Sequence, residues 1–204
     1  MLEPQALAAL ALFAFVASIT PGPNNVMLLS SGVNFGLRRT LPHMFGVNAG
    51  FVLMIVLIGI GFGQLFERFP WLHVVLKVAG VLYMLWLAWK IANSTAIGEA
   101  IRPRQPMTFL QAAAFQWVNP KAWAMAVSAI AAYTLSDQPT VSALVIALVF
   151  GAINLPSIAA WALFGMGLRR YLSDPITIVN FNRAMAALLV ASVWPVMAEL
   201  IGLL

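Results

Sequence analysis

Cysteine is absent from the 204-residue sequence, and charged residues are rare. Without cysteine the chain can form no disulfide, no thiolate metal site and no cysteine nucleophile. Only 8% of the residues are charged and 62% are hydrophobic, whereas a soluble globular domain carries about 25% charged residues. Too few charges remain to cover a water-facing surface, so the composition predicts an integral membrane protein.

The N-terminus lacks the basic stretch with which a cleaved signal peptide begins. It reads Met-Leu-Glu-Pro-Gln and leads directly into an apolar segment. We therefore expect this first segment to stay in the mature protein.

Six apolar segments are each long enough to cross a bilayer, which takes about 20 residues of helix. They cover residues 6–34, 43–66, 71–92, 108–134, 141–167 and 184–204. The one long polar stretch, residues 93–106, separates the first three from the last three. We predict an all-α membrane protein with a single transmembrane domain over residues 1–204, made of two halves at about 1–92 and 107–204.

Lysine and arginine are distributed unevenly between the loops. If all six segments cross, eight of the eleven lie on one side: Arg38, Arg39, Lys90, Arg102, Arg104, Arg169, Arg170 and Arg183. Basic loops stay in the cytoplasm, so this side, with the linker 93–106, is predicted to be cytoplasmic and both termini to be outside. A re-entrant first segment is the alternative, with five crossings and the N-terminus inside. The net charge of +5 thus indicates topology rather than a nucleic-acid partner.

Proline, glycine and asparagine interrupt two of the segments at corresponding places. The first segment is broken at Pro21-Gly22-Pro23 and the fourth at Asn119-Pro120. Proline and glycine are the least favourable residues in a helix interior. Broken helices at matching positions of two three-helix halves are typical of inverted-topology repeats, and we predict that architecture.

The breaks put polar backbone groups inside hydrocarbon, where an unpaired N–H or C=O is costly. Half-helix ends present N–H groups with positive and C=O groups with negative dipole character. A zwitterion such as an amino acid needs both kinds of partner. The first break, flanked by Asn24 and Asn25, is therefore predicted to grip a small charged molecule rather than merely to kink a helix.

Lys121 is the only ionisable residue deep within an apolar segment. An ammonium at mid-membrane costs from about 2.5 kcal/mol upward, so Lys121 is a candidate partner for a substrate carboxylate or for carbonyls freed by the break. The structural alternative is that its stem reaches an interface. Three mid-segment amides either line a cavity or bond neighbouring helices: Asn48, Gln116 and Asn154.

Three motifs occur in order along the chain. Residues 20–24 read TPGPN, residues 38–50 read RRTLPHMFGVNAG, and residues 115–123 read FQWVNPKAW with a central Asn-Pro-Lys. Together with the length and the six segments, they resemble the LysE/RhtB family of bacterial amino-acid exporters over nearly the whole chain. The short linker, with Glu99 as its single acid, departs from the longer, more charged linkers of some members.

The resemblance implies a secondary transporter in the bacterial inner membrane that exports amino acids, driven by protons and without a cofactor. It places the core of the translocation site at Pro21, Gly22, Pro23, Asn24, Asn119, Pro120 and Lys121. The argument from the residues themselves adds Asn25, Asn48 and Asn154. Because the segment interiors contain no Asp or Glu, proton coupling is left to Lys121, His43 or the amino group of the substrate.

Other functions are weighed against this one. An intramembrane enzyme would need a paired acid and base or a zinc-binding His-Glu-x-x-His helix, and a metal-ion exporter would need Cys, His or carboxylate ligands in its spans. A structural subunit of a membrane complex would not need polar breaks. Two glycine spacings, Gly32-x3-Gly36 and Gly46-x3-Gly50, fit close helix contacts within one chain or in a homo-oligomer surrounded by lipid.

Overall fold

A computed structural model of the chain describes residues 3–62, 68–93, 105–172 and 174–202. Within these ranges every regular element is helical, which confirms the predicted all-α class. The elements are α1 (Pro4–Ile19), α2 (Pro23–Phe35), α3 (Leu37–Leu57, continued by a π-helical turn Ile58–Phe62), α4 (Pro70–Ala92), α5 (Phe109–Phe115, followed by a 3₁₀ turn Gln116–Val118), α6 (Pro120–Tyr133), α7 (Pro139–Leu168) and α8 (Pro175–Leu200).

Four helices in the described ranges are long and apolar enough to cross a membrane: Leu37–Gly61, Val74–Ala92, Pro139–Leu168 and Ile176–Leu200. A fifth span is reached if α1 and α2, which are bent by 55° at the first break, count as one. The fourth predicted segment is divided by its own break into helices of only 7 and 14 residues. The chain is therefore a multi-pass membrane protein with four or five spans by helix length, where the sequence predicted six segments.

Two helices begin earlier than the apolar segments predicted. The α3 helix begins at Leu37, inside the loop expected at 35–42, because Gly36 adopts a φ of 73° and turns the chain within a single residue. The α8 helix begins at Pro175 rather than at 184, because the Asp174 carboxylate accepts hydrogen bonds from the backbone N–H and hydroxyl of Thr177, both at 2.9 Å. These bonds also lower the pKa of Asp174. Most of the linker expected at 93–106 lies outside the described residues.

The broken pair α1–α2 packs along the whole of α7. Beside the first half of α7, the ring of Phe13 lies 5.9 Å from that of Phe150, edge to face. Beside the second half, Gly165 faces the backbone of α2, where a Cβ would lie 2.2 Å from the Leu29 carbonyl oxygen. In return, a Cβ at Gly32 would lie 2.2 Å from the carbonyl oxygen of Ala162. Glycine therefore allows the two backbones to touch.

The second broken pair, α5–α6, packs in the same manner along α3. A Cβ at Gly46 would lie 2.3 Å from the Phe109 carbonyl oxygen, and one at Gly50 would lie 2.6 Å from Ala113 Cα. Further along, Gly59 approaches the Ile130 side chain of α6. The Gly46-x3-Gly50 spacing thus serves a contact within the chain. The remaining long helices, α4 and α8, pack on each other through a core that includes Met84, Leu189 and Val193.

Candidate functional site

The two helix breaks lie against each other, and Lys121 joins them. Its Nζ donates to the carbonyl oxygen of Thr20 at 2.7 Å, to the Thr20 hydroxyl at 2.9 Å and to the Pro21 carbonyl at 3.4 Å. Of the two partners predicted for this ammonium, the structure shows the freed carbonyls at the end of α1. Lys121 thus contacts a residue 101 positions earlier in the sequence.

The carbonyls of Ser18, Ile19 and Thr20, at the end of α1, each accept a hydrogen bond from a side chain beyond the helix. The Asn25 amide donates to the carbonyls of Ser18 (2.9 Å) and Thr20 (2.7 Å), and the indole N–H of Trp161 donates to that of Ile19 at 3.0 Å. Helix ends leave their last carbonyls without intrahelical partners, and a membrane interior offers no water to replace them. Asn25, which is buried, therefore supports the first break.

Asn24 and Gln116 form a reciprocal amide pair across the two breaks. The Asn24 Nδ2 donates to Gln116 Oε1 at 2.8 Å, and the Gln116 Nε2 donates to Asn24 Oδ1 at 3.2 Å and to the Ala112 carbonyl at 2.9 Å. At the start of α6, the Asn119 side chain accepts from the backbone N–H of Lys121 at 3.1 Å. This cap fixes the backbone from which the lysine projects.

Gly22 provides the space for the lysine side chain. A Cβ at this position would lie 2.6 Å from Lys121 Cδ and 3.1 Å from Nζ. The backbone of Gly22 is extended, with a φ of −171°, so its conformation alone does not require glycine. The glycine is needed for the close approach of Lys121.

These groups surround a narrow cleft, here called the polar cleft, whose open volume of about 20 Å³ is roughly the space of one water molecule. Six of the ten predicted site residues line it: Gly22, Asn24, Asn25, Asn119, Lys121 and Asn154. The other four, Pro21, Pro23, Asn48 and Pro120, do not line it, although Pro23 and Pro120 begin the two helices that form it. Asn48 lies one step behind and accepts a hydrogen bond from Asn154 at 2.9 Å.

Several lining residues were not among the predicted site residues. Ser18, Phe51, Met125 and Ile158 come from α1, α3, α6 and α7 respectively, and only the packing of these helices brings them together here. Gln116 was considered as a cavity residue and does line the cleft. The Ser18 hydroxyl is buried and has no hydrogen-bond partner among the described residues, so it is available to a ligand.

The charge of the polar cleft is carried by Lys121. Its other lining side chains are amides, one hydroxyl and apolar groups. In the part of the chain that the structure describes, no group of three His, Cys, Asp or Glu side chains could hold a metal ion. The site can therefore bind an anionic group at the lysine and hydrogen-bonding groups at the amides and carbonyls.

The broken helices and the cleft between them define a membrane transporter. The chain belongs to the LysE type translocator family, which matches residues 15–193. This confirms the predicted family and the prediction of a transporter rather than an enzyme.

The curated relatives include cysteine/O-acetylserine efflux proteins of Salmonella typhi, Salmonella typhimurium (strain LT2) and Escherichia coli (strain K12). Each is 31% identical over 166 residues, which cover 80% of this chain and 84% of the relative. No solved structure matches the chain significantly.

Proposed function

We propose that the chain exports amino acids, or small zwitterions closely related to them, from the bacterial cytoplasm. The observation that carries this proposal is the binding of Lys121 Nζ by the carbonyl and hydroxyl of Thr20. The positive ammonium and the partly negative carbonyl oxygens complement the carboxylate and the ammonium of a zwitterionic substrate. The substrate carboxylate binds the Lys121 ammonium, and the carbonyl oxygens that Lys121 releases accept hydrogen bonds from the ammonium of the substrate.

The other polar groups of the cleft support a small, uncharged side chain on the substrate. The Asn24–Gln116 pair and the Ser18 hydroxyl supply hydrogen bonds beside the lysine. A cationic solute would meet the ammonium of Lys121 with no carboxylate among the described lining residues to offset it. Small polar amino acids are therefore the proposed class, in agreement with the names of the relatives.

The proposed architecture is an inverted repeat with six crossings in the inner membrane, and both termini outside. Packing supports it, since α1–α2 lies along α7 and α5–α6 lies along α3, so that each broken pair follows the unbroken helix of the other half. Asn48 and Asn154, which lie mid-way along α3 and α7, hydrogen-bond to each other. A bend of 55° is also far from the reversal that a re-entrant hairpin requires.

We also propose that a proton gradient drives export. The polar cleft has no carboxylate among its described lining residues, and His43, which is 2% exposed, does not line it. The groups in the cleft that could carry a proton are Lys121 and the amino group of the substrate.

The test is uptake of labelled amino acids into inverted membrane vesicles, with and without an imposed proton gradient. We expect gradient-dependent uptake of small polar amino acids by the native chain. Loss of a charged hydrogen-bond partner costs about 1.5–3 kcal/mol, or about 10- to 150-fold, so Lys121→Met should lower uptake by at least about ten-fold. Asn24→Ala removes a neutral amide pair, worth about 0.5–1.5 kcal/mol, and should lower uptake by about 2- to 12-fold. Lys90→Met, at an exposed lysine outside the cleft, is the matched control.

Two outcomes would argue against the proposal. Uptake that Lys121→Met leaves unchanged would remove the lysine from the site. Absence of uptake for every amino acid, with the protein present and folded in the vesicles, would favour another solute or a structural role in a membrane complex.

A further inference from the structure

A second cleft, here called the apolar cleft, lies on the other side of the second break. Its open volume between α4, α6 and α8 is about 360 Å³, far larger than that of the polar cleft. Val81, Trp117, Pro120 and Trp123 form much of its wall. The indole N–H of Trp123 is bonded inside the protein, to the Trp117 carbonyl at 2.8 Å. The wall therefore suits a hydrocarbon ligand rather than a polar one.

One ion pair lies among the residues that line this cleft. Lys77 Nζ is 2.5 Å from Glu199 Oε1, and both side chains are partly exposed. Lys77 lies seven residues after the start of α4 at Pro70, and Glu199 lies one residue before the end of α8 at Leu200. The two charges thus lie toward the ends of their helices, whereas Pro120 belongs to the break between α5 and α6.

We propose that the apolar cleft binds one phospholipid whose headgroup carries both a phosphate and a primary ammonium. The phosphate lies at Lys77, whose ammonium has three N–H donors and uses one of them on Glu199. The lipid ammonium lies at the Glu199 carboxylate, and an acyl chain extends inward against Trp117 and Pro120. The charges of the headgroup and of the ion pair are complementary.

Other ligands match only part of this cleft. A small polar zwitterion matches the ion pair but leaves the apolar wall uncovered. An uncharged hydrocarbon covers the wall but makes no charged contact with the ion pair. A zwitterionic phospholipid matches both parts, with its charges and its chain at the depths that a bilayer gives them.

The bound acyl chain would pack against the segment 116–121, which separates the apolar cleft from the polar cleft. Along one short strip of chain, Gln116, Asn119 and Lys121 line the polar cleft, while Trp117 and Pro120 line the apolar cleft. The strip is a single layer of backbone, held on the apolar side by close contact of Gly80 with the Val118 carbonyl. Lipid binding does not depend on what the polar cleft transports, so the two proposals can fail separately.

The experiment is native mass spectrometry of the full chain, purified in detergent and supplied with one phospholipid at a time. We expect one phosphatidylethanolamine to be retained per chain. Phosphatidylcholine, whose quaternary ammonium has no N–H to donate, and phosphatidylglycerol, which has no ammonium, should be retained several-fold less. Lys77→Met should remove this preference, whereas Arg68→Met, at an exposed arginine outside the cleft, should keep it.

Cleft-filling variants test the position of the acyl chain. Ala124 lines the apolar cleft and is exposed, and Ala132 is an exposed alanine of the same helix outside it. Ala124→Phe should abolish retention of phosphatidylethanolamine, and Ala132→Phe should leave it unchanged. Retention by Ala124→Phe, or equal retention of all three lipids by the native chain, would overturn the proposal. Displacement of the lipid by amino acids would also overturn it and would assign the cleft to the substrate.

Discussion

At the scale of single residues, the first break depends on side chains that replace what the helix backbone has lost. Asn25, which is buried, and Trp161, which is partly buried, donate to the carbonyls of Ser18, Ile19 and Thr20. Lys121 donates to the carbonyls of Thr20 and Pro21, and its charge can attract a substrate carboxylate. The break therefore combines fixed support with one partner that a ligand can exchange.

Gly22→Ala is expected to lower transport only because it displaces the Lys121 side chain. The added Cβ would meet Lys121 Cδ at 2.6 Å, while the extended backbone accepts alanine without strain. Because the lysine stem is flexible, we expect the protein to remain folded and the ammonium to be displaced. In vesicle uptake, Gly22→Ala should lower the rate in the native background and have no further effect in a Lys121→Met background. Additive losses would show that Gly22 acts independently of the lysine.

At the scale of the helices, glycine determines how closely the broken pairs approach their unbroken partners. Gly32 and Gly165 face each other's helix backbones across the contact of α2 with α7, and Gly46 and Gly50, both of α3, face the backbone of α5. Without a hydrophobic driving force between helices in lipid, association relies on this close packing. The positions of the breaks depend on these contacts, because the contacts fix where each half-helix packs along its partner helix.

Gly165→Ala should destabilise the protein, and Gly167→Ala should not. A Cβ at Gly165 would lie 2.2 Å from the backbone oxygen of Leu29, whereas a Cβ at Gly167 has no atom within 4 Å. Overpacking of this kind typically costs about 1–3 kcal/mol. Thermal unfolding in detergent should therefore give a lower Tm for Gly165→Ala and an equal or higher Tm for Gly167→Ala, since alanine is the better helix former. Equal effects of the two substitutions would mean that helix propensity, rather than the α2–α7 contact, controls the change.

At the scale of the whole molecule, the basic residues predict which side of the membrane each loop reaches. Arg169 and Arg170 lie after α7, and Arg38 and Arg39 lie at the start of α3, so these ends are predicted to be cytoplasmic. If α1 and α2 form one bent crossing, the N-terminus lies on the opposite side. If the first break were re-entrant, it would lie on the same side as these arginines.

Single cysteines can test this topology directly, because the native chain has none. Three exposed positions are suitable: Gln5, Ser136 and Tyr171. In intact cells with an accessible periplasm, a membrane-impermeant maleimide should label Gln5→Cys and Ser136→Cys, and should label Tyr171→Cys only in inverted vesicles. Labelling of Gln5→Cys from the cytoplasmic side alone would establish five crossings instead of six.

Local chemistry allowed the breaks and the class of the protein to be predicted, whereas long-range packing determined the rest. Pro21, Gly22 and Pro23 interrupt a helix wherever they occur, so the first break needed no tertiary information. The early start of α8 was missed although Asp174-Pro175 is a recognisable capping sequence, because only apolar residues were counted. Ser18 and Phe51 could not be assigned to the polar cleft, since their own segments carry no sign of it and helix packing brings them there.

The hydrogen bond between Lys121 and the end of α1 competes with the binding of substrate. Thr20 is tethered beside Lys121 in the same fold, and a tethered group competes at an effective concentration in the millimolar range or above. A substrate that must displace it from 2.7 Å binds with only the difference between two similar interactions. If Lys121 binds the substrate carboxylate as proposed, the apparent affinity for the substrate is low. The protein would then export substrate only at high cytoplasmic concentration. It would remove a metabolite that has accumulated and leave ordinary cytoplasmic levels untouched.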